Sequence, residues 1–163
     1  MSKNIEENES YWINRLELTA HPEGGYYKEI FRSKIEIHRD GESKNASTSI
    51  YYLLSGKDFS GFHRLKSDEL WYFHKGEPII IHVINIHGIY RFIELSDTET
   101  GNLQTVIEPN SWFAAEISTG TGFALVSCAV APGFEFSEFE MADQESLLSE
   151  FPAHLDIIAR LCR

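Results

Sequence analysis

At 163 residues the chain is long enough to bury one hydrophobic core, and its 25 acidic against 14 basic side chains leave a formal net charge of -11. With Lys and Arg scattered rather than clustered, that balance excludes phosphate-backbone binding, so nucleic acid is not an expected partner. The acidic start Met1–Asn8 lacks the apolar core of a signal peptide, no later run is long enough to span a bilayer, and the two cysteines, Cys128 and Cys162, do not form a disulfide framework. A soluble cytoplasmic protein without membrane contact is therefore expected.

In chain order, Glu9 to Leu18 sets Trp12, Ile13 and Leu16 at helical spacing and predicts a short amphipathic helix. In His21-Pro22-Glu23-Gly24-Gly25, the proline fixes a turn and the paired glycines allow backbone angles closed to other residues. That turn either leads into the strand Tyr26 to Arg32 or brings His21 and Glu23 to a pocket rim. A hairpin tip at Asp40-Gly41 and a strand over Ser47 to Leu54 follow. Phe62 to Leu65 and Glu69 to Phe73 read as neighbouring strands joined by the turn Lys66-Ser67-Asp68, with Glu69, Trp71 and Phe73 on one face and Leu70, Tyr72 and His74 on the other. Pro78 to Ile86 and Ile89 to Leu95 flank a two-residue loop, His87-Gly88. Leu103 to Ile107, Trp112 to Ile117 and Phe123 to Val130 are further strands, and Phe134 to Phe139 alternates aromatic with polar residues as a half-buried strand does. The tail predicts one helix interrupted at Pro152, or two short ones. Short strands at regular spacing indicate an all-β sandwich or barrel in one domain, with a helical segment over 1–20, the barrel over 21–140 and helices over 141–163.

The densest chemistry lies in Gly61 to Gly76, where His63 and Glu69 are catalytic candidates. An imidazole titrates near neutrality and takes a proton from carbon next to a carbonyl when an acidic partner orients it; Tyr51 or Tyr26 is a candidate acid. Trp71, Phe73 and Trp112 offer ring faces to a planar ligand, with His21 and Glu23 at the rim.

The stretch resembles the first motif of the cupin superfamily, with His63, Glu69 and Gly76 in place and Leu65 at the second histidine position. The second cupin motif resembles Pro109 to Ala114, where Ser111 replaces its Gly and Ala114 its His. The chain is similar throughout 16–140 to one small cupin-like family of unknown function, through His21-Pro-Glu-Gly-Gly25, Thr48-Ser-Ile-Tyr-Tyr-Leu-Leu54, Phe62-His63 with Ser67-Asp-Glu-Leu-Trp71, Trp112-Phe-Ala-Ala115 and Val130-Ala-Pro-Gly-Phe-Glu-Phe136. That resemblance implies a double-stranded β-helix, the cupin jelly-roll barrel, assembled as a homodimer. A metal site of the cupin norm uses three histidines and a glutamate; only His63 and Glu69 remain here, so no cofactor is expected and a divalent metal is the alternative. Gly61-Phe62-His63 is similar to the Gly-Leu-His segment of sugar-nucleotide epimerases on the same barrel, with Ser60 in place of the preceding Arg. Three readings stand side by side: a metal-independent isomerase or epimerase acting on a carbohydrate or sugar-nucleotide derivative, a metal-dependent dioxygenase or isomerase, and a non-catalytic small-molecule binding module.

Overall fold

Alternation along the strands decides the architecture, because each long strand has one face it must cover. A computed structural model describes residues 7–163, and in it two antiparallel sheets pack face to face. The first sheet is ordered β1 (Thr19–Ala20), β2 (Tyr26–Arg32), β5 (Thr48–Ser55), β12 (Phe123–Ala131), β7 (Asp68–Gly76), β10 (Gln104–Ile107). The second is ordered β13 (Phe139–Met141), β6 (Phe59–Leu65), β11 (Trp112–Ile117), β8 (Ile79–Ile84), β9 (Tyr90–Leu95). A separate hairpin, β3 (Glu36–Arg39) and β4 (Glu42–Asn45), turns through Asp40 and Gly41 at φ 53° and 83°.

Trp71, Phe73, Tyr52, Leu54, Ile81 and Phe113 fill the space between the sheets. Each such side chain contributes roughly 1.5–3 kcal/mol by leaving water. The outer faces are covered too. Helices α2 (Gln144–Glu150) and α3 (Leu155–Leu161) bury Leu147, Ile158 and Leu161 against Phe62, Ile84, Trp112 and Ala114 of the second sheet. On the first sheet α1 (Glu9–Leu16), capped by the Asn8 side chain, packs Trp12, Ile13 and Leu16 over Leu18, Leu53 and Leu125. None of the described helices is long and apolar enough to cross a membrane.

The strands differ from the sequence expectations in three places. β6 and β7 do not pair: the chain crosses from one sheet to the other at Lys66-Ser67, so His63 and Glu69 come from facing sheets rather than neighbouring strands. The β8–β9 loop spans 85–89, because Asn85 Oδ1 accepts from the N–H groups of His87 at 3.0 Å and Ile89 at 2.9 Å and closes a wider turn. Phe134 to Phe139 is not a strand; a 3-10 turn at Phe136–Glu138 precedes β13, and the alternating aromatics line a cavity instead.

Candidate functional site

The cavity, of about 310 Å³, lies at one end of the sandwich and draws on both sheets. Its floor begins with the turn 21–25. Gly24 and Gly25 have φ of 109° and 70°, and a Cβ on Gly24 would stand 2.0 Å from the Phe59 carbonyl oxygen, so only glycine serves there. The turn is held from several sides: the Tyr52 hydroxyl donates to Gly24 O at 2.8 Å, Gly61 N–H to Glu23 O at 2.7 Å, and Gly25 N–H to Asp58 Oδ2 at 2.8 Å. Those bonds carry the Glu23 side chain into the interior, where it is 7% exposed.

There Glu23 Oε2 lies 3.1 Å from His63 Nε2. The other ring nitrogen, Nδ1, is 2.7 Å from the carbonyl oxygen of Gly61, which fixes the proton on Nδ1 and leaves Nε2 as an acceptor. The Phe113 ring packs against the imidazole at 4.1 Å and Phe139 at 5.3 Å. Burial pushes His63 down to about 4 and pushes the Glu23 carboxyl up. Both directions favour the uncharged form of each group, and the 3.1 Å contact lets the pair share one proton between Oε2 and Nε2. His21 Nδ1 accepts the Glu23 backbone N–H at 3.2 Å and stands 3.6 Å from Glu23 Oε2; burial lowers its pKa as well.

From the opposite sheet comes Glu69, its carboxyl raised to about 8, first by burial and then by the nearby Glu23 carboxyl, against the lowering effect of the Trp71 indole N–H and the Cys128 thiol. Its Oε2 is buried with no hydrogen-bond partner among the described residues. The Cys128 thiol beside it is pushed up by burial and by the two carboxyls. At the mouth stand Tyr27, Phe134 and Phe136, and Arg32, whose Nε and Nη2 donate to Glu29 at 3.0 and 2.8 Å.

Of the site residues expected from sequence, His21, Glu23, His63 and Glu69 meet in this cavity. The others do not line it. Tyr51 and Tyr26 face the α1 side, and it is Tyr52 that points inward. Trp71 and Phe73 share the inward face of β7 but lie in the closed core. Trp112 lies on the outer face of its sheet, under α2 and α3, with the Arg64 guanidinium 4.3 Å from its ring centre. Tyr27, Arg32, Tyr52, Thr48 and the aromatics 134, 136 and 139 are cavity residues that the sequence does not single out; the aromatic alternation of 134–139 is their one visible signal, and it has the period of a strand.

A resident metal of the kind the cupin resemblance implies does not fit these residues. Leu65 lines the cavity where a second histidine would stand. Ala114 faces the helices, and the inward position is Phe113, whose ring occupies the space beside His63. Among the described residues no group of three His, Cys, Asp or Glu is placed to hold a metal ion.

The model of a family described as Cupin superfamily (DUF985) matches residues 10–142. The chain is 30% identical over 143 residues to the uncharacterized protein YML079W of Saccharomyces cerevisiae, covering 77% of this chain and 71% of that one. Among solved structures, a hypothetical protein from Leishmania major is similar at 32% identity and a TM-score of 0.92, over 96% of this chain and 99% of that one. Protein SO0799 from Shewanella oneidensis is similar at 34% identity and a TM-score of 0.90, over 97% and 99%. Oxalate decarboxylase from Bacillus subtilis, at 14% identity and a TM-score of 0.55 over 87% of this chain and 36% of that one, shares the fold alone.

Proposed function

The chain belongs to the DUF985 family of the cupin superfamily, and from that premise we propose that it is a metal-independent proton-transfer enzyme, an isomerase or epimerase of a small carbohydrate-like carbonyl compound. The observation that carries this is the Glu23–His63 couple, 3.1 Å across, at the floor of a cavity whose facing wall presents the unpartnered carboxyl of Glu69. The couple starts neutral. Passing its shared proton to His63 Nε2 frees Glu23 as a carboxylate, and Glu23 then takes the proton from a substrate carbon next to the carbonyl. The imidazolium beside it balances the enediolate that results. Glu23 returns the proton to the former carbonyl carbon while the enediolate's hydroxyl passes its proton to the oxyanion beside it, which moves the carbonyl by one carbon, and His63 hands its proton back to Glu23, so the couple ends as it began. Glu69 holds the substrate from the opposite wall.

About 310 Å³ is at the small end of the range for ligand cavities, about 300–1,000 Å³, which suits one monosaccharide-sized molecule and leaves a nucleotide outside the mouth. The test is solvent deuterium exchange, followed by proton NMR, into a panel of aldoses, ketoses and their amino derivatives. Wild-type protein should exchange the hydrogen next to the carbonyl of at least one, and Glu23→Gln or His63→Ala should slow this by about 10²–10⁴. Ligand binding by saturation-transfer NMR without exchange on any of them would overturn the proposal. The 2% exposure of His63 favours that outcome's reading, a binding module, as the second choice.

A further inference from the structure

The cavity gathers carboxyls and offers no free cation among its described lining residues. Glu23, Glu29, Glu69 and Glu135 stand against one guanidinium, Arg32, which Glu29 holds at two points. Glu135 lies 3.4 Å from Lys44 Nζ, outside the lining. That leaves the two buried carboxyls, Glu23 and Glu69. Glu23 is engaged by His63, whereas Glu69 Oε2 has no donor at hydrogen-bond distance; the Trp71 indole N–H and the Cys128 thiol, both uncharged, are the polar groups nearest it, and their effect is outweighed by burial. The elements around Glu69 supply no cation. From β12 it meets Cys128; Tyr52 stands two strands away in the same sheet, and the imidazoles His21 and His63 line the cavity, both held neutral by burial. Around this pair the walls are aromatic: Tyr27, Tyr52, Phe134, Phe136 and Phe139.

A buried carboxyl oxygen without a donor is costly, and the strongest donor is a charged one. Ring faces attract the same kind of group. A phosphate or carboxylate meets the reverse of what it needs. We infer that the cavity takes a primary amine as its ammonium ion, held by Glu69 within the ring of aromatic side chains. This rests on the proton-transfer proposal for its site and names the substrate class: an amino sugar or similar hydroxylated amine. The chemistry agrees, because an ammonium group on the carbon beside a carbonyl makes the adjacent C–H more acidic and eases its removal by Glu23.

Binding then carries a proton balance. The free Glu69 carboxyl, raised to about 8, is protonated at neutral pH and must release its proton to the buffer when it pairs with the ammonium ion. Glucamine and sorbitol are the probes: the same carbon chain, ending in an ammonium group or a hydroxyl, with no carbonyl to react. By isothermal titration calorimetry glucamine should bind at least about tenfold more tightly than sorbitol. Near pH 6.5 it should release close to one proton, seen as a dependence of the heat on buffer ionisation enthalpy, and its affinity should rise about tenfold per pH unit up to about pH 8 and then level off. Glu69→Gln should abolish the preference and the proton release while retaining sorbitol. Equal affinities, no glucamine binding, or a preference that survives in Glu69→Gln overturns the inference. The two proposals fail separately. Amine preference without exchange on any sugar of the panel, neutral or amino, defeats the proton-transfer enzyme and leaves the amine site, whereas exchange on neutral sugars without amine preference does the opposite.

Discussion

Replacing Glu69 by Gln should change how stability depends on pH. The folded protein holds the Glu69 proton up to about pH 8, whereas the unfolded chain releases it at the ordinary glutamate value of 4.5. Stability from this group is therefore complete below pH 4.5 and is lost as pH rises to about 8, at about 1.4 kcal/mol per pH unit, which comes to about 5 kcal/mol. His63 has the opposite sign: depressed from 6.5 to about 4, it is bound to a proton in the unfolded chain first, and stability is lost as pH falls through that window. Between 4.5 and 6.5 the slopes of Glu69 and His63 offset each other, and from 6.5 to 8 the Glu69 loss has no counterpart in His63; the raised Glu23 adds to the loss above 4.5, and the lowered His21, His74 and His82 oppose it below 6.5. Urea unfolding followed by tryptophan fluorescence across pH 4–9 measures this directly. Wild-type protein should lose stability from pH 6.5 to 8, and Glu69→Gln should fall less steeply, ending more stable than wild type above pH 8. Parallel slopes for the two proteins between pH 6 and 9 would refute the burial of an acid at position 69 as the cause.

Gly24→Ala should cost about 3 kcal/mol or more, because its Cβ meets the Phe59 carbonyl oxygen at 2.0 Å and φ is 109°; an unchanged melting temperature would contradict the turn geometry. Trp112→Ala should lose about 3–5 kcal/mol in urea unfolding yet leave ligand affinity within about twofold, since that ring packs under α2 and α3 rather than in the cavity. Phe139→Ala, beside His63 at 5.3 Å and in the cavity wall, should weaken ligand binding in the same titration. Lys44, flanked by Glu42, Glu135 and Glu138 at 3.1–3.4 Å, ties the β3–β4 hairpin to the cavity rim, so Lys44→Met should speed amide hydrogen exchange over 134–139 by about tenfold; unchanged protection there would show that the rim is held otherwise.

The sequence by itself determined most of the elements and much of their facing. Residues 68–76 alternate so that Glu69, Trp71 and Phe73 point inward, and they do. The helix at Trp12, Ile13 and Leu16, the hairpin at Asp40-Gly41 and the two tail helices follow from periodicity and turn chemistry, which are local properties. The turn at His21 to Gly25 was legible as constrained, because only glycine reaches those backbone angles. Tertiary structure decided the rest. Alternation names a face but not a depth, so it could not separate Glu69, at the cavity end of β7, from Trp71 and Phe73 in the closed core. It has no sign where both faces are apolar: α2 and α3 cover the outside of β11, and Trp112 and Ala114 point there while Phe113 points in. The same ambiguity exchanged Tyr51 for Tyr52, since α1 covers the outside of β5. The Glu23–His63 couple depends on a turn and a strand 40 positions apart in the chain that stand 3.1 Å apart in space. Strand crossover and sheet packing bring them together, and these are set by the burial of the whole core rather than by any signal within either segment.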